Sequence, residues 1–318
     1  MTGLYKILGV PFGFVLRLIY ETVGFGNYAI SIILLTLIAR LLMVPTTISQ
    51  QKNMAKTQRM QSKIRKVQQK YAGDQRKIQE ETQALYQREG YNPMNAGCAP
   101  MLFQFVLLFG LIGAIYYPLS NFLPNISDAE ISLLTNAVQA LGDGAMSKST
   151  HLSELLVIEK IDELRDIAGV SQGTYDAIAS IDFSFFGLFS LGDIPSNFKG
   201  GFHAIWLIPI LSTASTLASS LYSQIKQKAN NPDQTATKSL GCMTVFMAAF
   251  SLYFVISYPA GIGIYWIASG IFGLLTSIVV NKIYTPKKMA AKLMIDETVA
   301  RRSKENSVKL AASYKTRN

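Results

Sequence analysis

Five stretches of the chain, residues 26–47, 93–119, 201–222, 239–257 and 258–283, are mostly apolar and about as long as a helix crossing a hydrocarbon core. Lipid offers no partner for unpaired backbone groups, so each is expected to be helical. The last two are separated by YPAG, Tyr258 to Gly261, whose Pro and Gly suit a tight turn. The pattern predicts an all-α polytopic membrane protein with five transmembrane helices.

Polar periodicity organises the rest. Over residues 1–25, Thr2, Lys6, Gly9, Gly13, Arg17 and Glu21 fall on one side of a helix and apolar residues cover the remainder. That suits an amphipathic helix lying in the membrane interface. Pro11 and Arg17 interrupt the stretch, and it lacks the basic start, clean apolar run and small-residue cleavage site of a signal peptide. Residues 48–92 are polar with a narrow apolar seam at Met60, Ile64, Val67 and Tyr71. Ala72–Gly73–Asp74 then supplies a helix-ending Gly and an N-cap Asp, and Ile78, Leu85 and Tyr86 continue the seam. This reads as a helical hairpin.

Composition agrees with a membrane location: 49% of the 318 residues are hydrophobic and 16% are charged, against about 25% charged in a soluble domain. Charge then sets the orientation. Ile48–Asn92 holds ten Lys/Arg against four Asp/Glu, whereas Leu119–Gly201 holds four against eleven. Residues 223–238 are basic, and the tail from Lys282 has ten basic and three acidic residues. With five alternating spans, the three basic segments share one side, which the positive-inside rule makes cytoplasmic. The N-terminus is then outside and the C-terminus inside, with 120–200 an acidic outer loop and 284–318 a basic, partly disordered tail. Leu155, Ile158, Ile161 and Ile167 in the outer loop are expected to bury a small face against the membrane helices. Such basic surfaces suit lipid headgroups or the phosphate-rich ribosome.

Catalytic chemistry is absent from the pattern. Cys98 and Cys242 fall near cytoplasmic span ends, where thiols stay reduced. His151 and His203 are isolated, and no metal-ligand or phosphate-loop spacing occurs, so no cofactor is expected. Gly142–Asp143–Gly144 and Tyr175–Asp176 superficially resemble intramembrane aspartyl protease motifs. That chemistry needs both carboxylates inside spans, and these lie in the outer loop.

The informative residue is Arg40, in LLTLIARLLMVP. A central arginine costs about 2.5–3.5 kcal/mol on insertion scales. Lying five residues before Pro45, it could instead snorkel to the cytoplasmic headgroups. No Asp or Glu occurs in any of the five spans, so an Arg40 retained in the membrane must face water, carbonyls or neutral polar groups. Candidate companions are Thr36, one turn away, Gln104 in the second span, and Tyr265 and Trp266 in the fifth. Ser212, Ser215, Thr216, Ser219 and Ser223 line the third span, where small residues let helices approach closely; Pro209 is a candidate kink. Met43, Met94, Met101, Met243 and Met247 fit ordinary packing or an adaptable greasy surface.

Several motifs, in order, resemble one family. ILLTLIARLLMVPTTISQQKNMAKTQRM is similar to the first core span and hairpin entry of the YidC/Oxa/Alb membrane protein insertases, with Arg40 at the family's arginine. NPMNAGCAPMLFQF, carrying Asn92, Pro93, Gly97, Cys98, Pro100 and Gln104, resembles the second-span opening. SFFGLFSLGDIP is similar to the run before the third span, and YPAGIGIYWIASG matches at Pro259, Gly261, Tyr265, Trp266 and Ser269. Tyr258, Ala260 and Gly270 depart from the pattern, and residues 125–180 have no counterpart. The resemblance, to the short YidC type of bacteria with one membrane, implies a non-enzymatic insertase and chaperone of the cell membrane. It implies a hydrophilic groove, open to the cytoplasm, in which Arg40 attracts acidic client segments. Implied partners are nascent membrane proteins, the ribosome and the Sec translocase. The alternative is a small-solute or ion transporter with Arg40 binding an anion.

Overall fold

The computed structural model describes residues 2–89, 98–123, 125–141, 152–198, 201, 203–230 and 237–315. The fold is helical: α1 (Thr2–Thr22), α2 (Tyr28–Leu42), α3 (Val44–Lys70), α4 (Gln75–Arg88), α5 (Cys98–Tyr116), α6 (Pro118–Asn121), α7 (Asp128–Ala140), α8 (Ser153–Glu159), α9 (Gln172–Ala179), α10 (Leu207–Asn230), α11 (Thr237–Ser257), α12 (Ala260–Ile283) and α13 (Pro286–Lys315). Two compact units are formed, residues 1–42 with 102–276, and residues 43–101 with 277–318.

Two described helices are long and apolar enough to cross a membrane, Ala204–Lys226 and Ala260–Ile283. A third span arises if Tyr28–Leu42 and Val44–Asn53 are taken together. The expectation of five is met only to that extent. The second and fourth expected spans are helical, but their described apolar portions, Phe105–Tyr116 and Ala248–Ser257, are short. The first expected span is interrupted at Met43, because Pro45 has no N–H to offer the Leu41 carbonyl four residues earlier. Pro209, by contrast, sits in the first turn of α10, where no helical N–H is needed, and breaks nothing.

In the first unit, α1 is held through its small residues. Gly9 and Gly13, expected on the polar side, are the contact face: a Cβ at Gly13 would lie 2.1 Å from the Asn121 carbonyl oxygen. Ile7, Val10, Phe14 and Leu18 point outward and are exposed. Small residues permit close approach, and Leu16 and Ile19 are buried on the same helix. Tyr28 is fully buried, donates its hydroxyl to the Ala114 carbonyl at 2.9 Å, and packs against Tyr20, Phe122 and Phe183. The Ser stripe of α10 serves packing too: Ser212 and Ser251 of α11 are buried with their hydroxyls 3.5 Å apart, and Ser215 lies against Gly270.

The acidic loop forms a small folded body, whose buried cluster also takes in Leu119 at the end of the second expected span. Ile131, Leu134 and Val138 of α7 bury against Leu156, Val157, Ile161, Leu164, Tyr175 and Ile178, with Ile158 and Ile167 at the margin. Leu155 turns the other way, toward Gly192. Glu130 joins two helix starts in this body. One of its carboxylate oxygens accepts from Ser127 N–H and Oγ in a capping box for α7; the other accepts from Ser171 N–H and Thr174 Oγ1 at the start of α9. Asp182 ties the body to α2: its carboxylate accepts from Asn27 Nδ2 at 2.7 Å and its carbonyl from Tyr28 N–H at 3.1 Å. Burial alone would raise the Asp182 carboxyl, but the hydrogen bonds from Ser184 and Asn27 outweigh it and hold it below the ordinary aspartate value. At α12, the Asp193 and Leu191 carbonyls accept from Ala260 and Gly261 N–H, two of the orphan donors of that helix start.

In the second unit, α3 and α4 fold back on each other. Tyr71 meets Glu81, and Lys63 pairs with Glu89 at 2.5 Å, an order that only antiparallel helices give. Gly73 takes the positive φ of 98° that the turn requires, and Asp74 caps α4 by accepting from Lys77 N–H. Met60 and Ile64 are buried as the seam predicts; Ile78, Leu85 and Tyr86 are half-buried. The tail is not disordered over its described length. It forms α13, which packs on α3 and buries Met289.

Hydrogen bonds to its ionised form, led by those from Ser171 and Ser127, lower the Glu130 carboxyl from the ordinary 4.5 to about 2. A depressed carboxylate stabilises the fold fully above its unfolded pKa and ceases to do so as pH falls through the folded value. The acidic body should therefore lose stability between pH 4.5 and about 2. Thermal unfolding followed across that window should be flatter for Glu130→Gln than for the wild type. At neutral pH the variant should unfold a few degrees lower, since both helix caps are weakened.

Candidate functional site: the Arg40 cluster

Helix α2 presents Arg40 in its last turn because the chain breaks at Met43. Partial negative charge gathers at a helix C-terminus, so this is where a cation without an acid is least costly. Helices α2, α5, α10, α11 and α12 contain no Asp or Glu.

The guanidinium does not reach away from the helices. Arg40 is half-buried and donates through Nη2 to the hydroxyl of Ser269, itself buried on α12. One turn further along α12, a Cβ at Gly273 would sit 3.6 Å from Arg40 Cζ, so the bare glycine face is what the planar group rests on. One turn back, Tyr265 is buried, within electrostatic reach of Arg40. Tyr265, Ser269 and Gly273 follow at four-residue spacing and share one stripe of α12. The position of Arg40 left snorkelling open; the bond to Ser269 favours retention among the helices.

The other expected companions divide. Thr36 is buried, but its hydroxyl donates to its own helix at the Ile32 carbonyl, 2.7 Å away. Trp266 turns toward α11, with its ring 5.1 Å from Phe254 and edge-on to Tyr265. Gln104 lies on α5, and its side chain falls outside the described residues, as do those of Cys98, Cys242, Met94, Met101, Met243 and Met247. His151, Gly142–Gly144, Asn92, Pro93 and Gly97 are also outside them. Sequence reasoning did not name Ser269 and Gly273 as groove residues. The signal was available: both continue the Tyr265 register at four-residue spacing, and both are small.

Residues 18–288 match the family described as 60Kd inner membrane protein. The chain belongs to the YidC/Oxa/Alb family of membrane protein insertases. Similar proteins include membrane protein insertase YidC 2 of Listeria innocua, 25% identical over 294 residues covering 91% of this chain and 76% of that one. YidC of Clostridium perfringens is 43% identical over 105 residues, 33% of this chain and 42% of that one. The chloroplastic inner membrane protein ALBINO3 of Arabidopsis thaliana is 27% identical over 281 residues, 86% of this chain and half of that one. Insertases of this family are non-enzymatic membrane chaperones, which accords with a site built from one cation, hydroxyls and a bare glycine. Family membership also sets the transporter alternative aside.

Replacing Ser269 tests the contact. Ser269→Ala should lower stability by about 1 kcal/mol, the ordinary worth of a hydrogen bond, when unfolding is titrated with SDS in mixed micelles. Gly273→Ala should be neutral or stabilising, since its Cβ would make ordinary contact and alanine favours helix. Gly273→Leu should lose stability by displacing the guanidinium.

Proposed function

We propose that the chain takes client transmembrane segments from the cytoplasm, past Arg40 in a hydrophilic groove, and releases them sideways into the bilayer. The observation that carries this is a half-buried arginine held by a neutral hydroxyl among helices that contain no carboxylate. Two unit charges 4 Å apart attract by about 4 kcal/mol at an effective dielectric near 20, and by about 1 kcal/mol in water. A client's acidic segment therefore gains from approaching Arg40 more than it would from a cation in solution. Its apolar helix then leaves for lipid, driven by burial of its own surface. No bond is made or broken.

On this reading α2 with the start of α3, α5, α10, α11 and α12 are the five spans, Thr36, Gln104, Tyr265 and Trp266 line the groove with Arg40, and α1 lies at the outer boundary. The N-terminus is outside and the C-terminus is in the cytoplasm of a bacterial cell; the support is the charge bias, acidic over 120–200 and basic over 48–92, 223–238 and 284–318. The hairpin and α13 then form a basic cytoplasmic surface for the ribosome. Cooperation with the Sec translocase is compatible with the same geometry.

In proteoliposomes, Arg40→Ala should slow insertion of a client with an acidic outer segment about tenfold, the factor 1.4 kcal/mol represents. Arg40→Lys should retain most activity. Undiminished insertion by Arg40→Ala would refute the charge mechanism. Deleting residues after Tyr284 should weaken ribosome co-sedimentation, with a shallower salt dependence than the intact chain.

A further inference from the structure

Residues 183–192, FSFFGLFSLG, carry no charge and contain four phenylalanines in ten positions. They form a closed loop. Ser184 and Ser190 face each other in an antiparallel bridge, Phe185 N–H donates to the Phe189 carbonyl at 2.9 Å, and Leu188 N–H donates to the Phe185 carbonyl at 3.0 Å. Gly187 N–H is taken by Ser184 Oγ. At the two edges, Ser184 and Ser190 N–H donate to the carboxylates of Asp182 and Asp193. Much of the backbone is thus turned inward, while the side chains at the apex are turned out: Phe186 is 63% exposed and Leu188 62%. Behind the apex, Phe185 stacks on Phe189 and meets Phe186 edge-on.

A second exposed phenylalanine lies at the same end of the unit. Asn27 Nδ2 reaches the Ser184 carbonyl, and two residues earlier Phe25 is 88% exposed. Phe25 and Phe186 both hold positive φ, 54° and 50°, a conformation bulky residues rarely adopt. An exposed phenyl on a strained backbone has no advantage in water. Both become reasonable where the side chain has somewhere apolar to go.

We propose that Phe25, Phe186 and Leu188 are an anchor inserted into the headgroup–acyl boundary of the phospholipid bilayer, at the end where α2 and α12 begin. Three observations select lipid over a protein partner. The internally bonded loop backbone is what a water-poor boundary demands. The apex offers no charge to specify a protein. The patch also continues the outward apolar face of α1, through Leu18 and Val23. Asp182 and Asp193, with their hydrogen bonds made, mark the waterline on either side. The proposal goes beyond the insertase reading, which requires only the groove.

Depth measurement decides it. In the full chain with Cys98→Ser and Cys242→Ser, Phe186→Cys carries an NBD label and is reconstituted in phosphatidylcholine–phosphatidylglycerol vesicles. Its emission should be blue-shifted, quenched more by a nitroxide at a shallow acyl position than by a deep one, and protected from aqueous iodide. Asp162→Cys, on the exposed surface of the outer body, should show the opposite. Iodide quenching at position 186 without lipid quenching overturns the proposal. If Phe186→Cys does not fold, Leu188→Cys makes the same measurement with the same two outcomes. Client insertion by Arg40 variants is read independently, so failure of either idea is distinguishable from failure of the other.

Discussion

A positive charge kept among membrane helices without an acid is the constraint on which the rest of the first unit depends. Helices α2, α5, α10, α11 and α12 hold no Asp or Glu to form a salt bridge with it. What remains is weaker and distributed: the negative end of α2, the Ser269 hydroxyl and the flat surface that Gly273 leaves open. Each requires a particular backbone event. The helix must end soon after Arg40, which Pro45 ensures, and α12 must bring small residues to the guanidinium at successive turns.

A second constraint is that helix starts leave N–H groups in need of acceptors, and at α12 backbone carbonyls supply them. Its first donors go to the carbonyls of Leu191 and Asp193, and Tyr28 at the start of α2 goes to the carbonyl of Asp182. All three acceptors come from the stretch following the acidic body. That stretch is therefore part of the framework holding α2 and α12, the two helices that bear Arg40 and Ser269.

Long periodic features were legible in the sequence: the apolar stretches, the hairpin with its Gly73–Asp74 turn and the lone arginine. What was not legible depended on which elements meet. Gly9 and Gly13 looked polar by arithmetic, yet glycine has no side chain to solvate, and its lack of bulk makes it a contact surface instead. The residues of 125–180 alternate too irregularly to reveal that they bury one another. Ser269 was visible only as a motif position, with nothing to tie it to Arg40, until α12 was set beside α2. The basic tail looked unstructured because charge dominates its composition, whereas Met289, buried among the described residues, accompanies its packing on α3.

The character of the Arg40 contact also bears on time. A buried ion pair is strong, and a newcomer must displace its acid before it can bind. A hydroxyl is a weak partner, surrendered with little activation barrier and recovered as easily. Under the proposed reading, the site is thus suited to rapid exchange, with the Ser269 contact re-forming once a client's carboxylate has left.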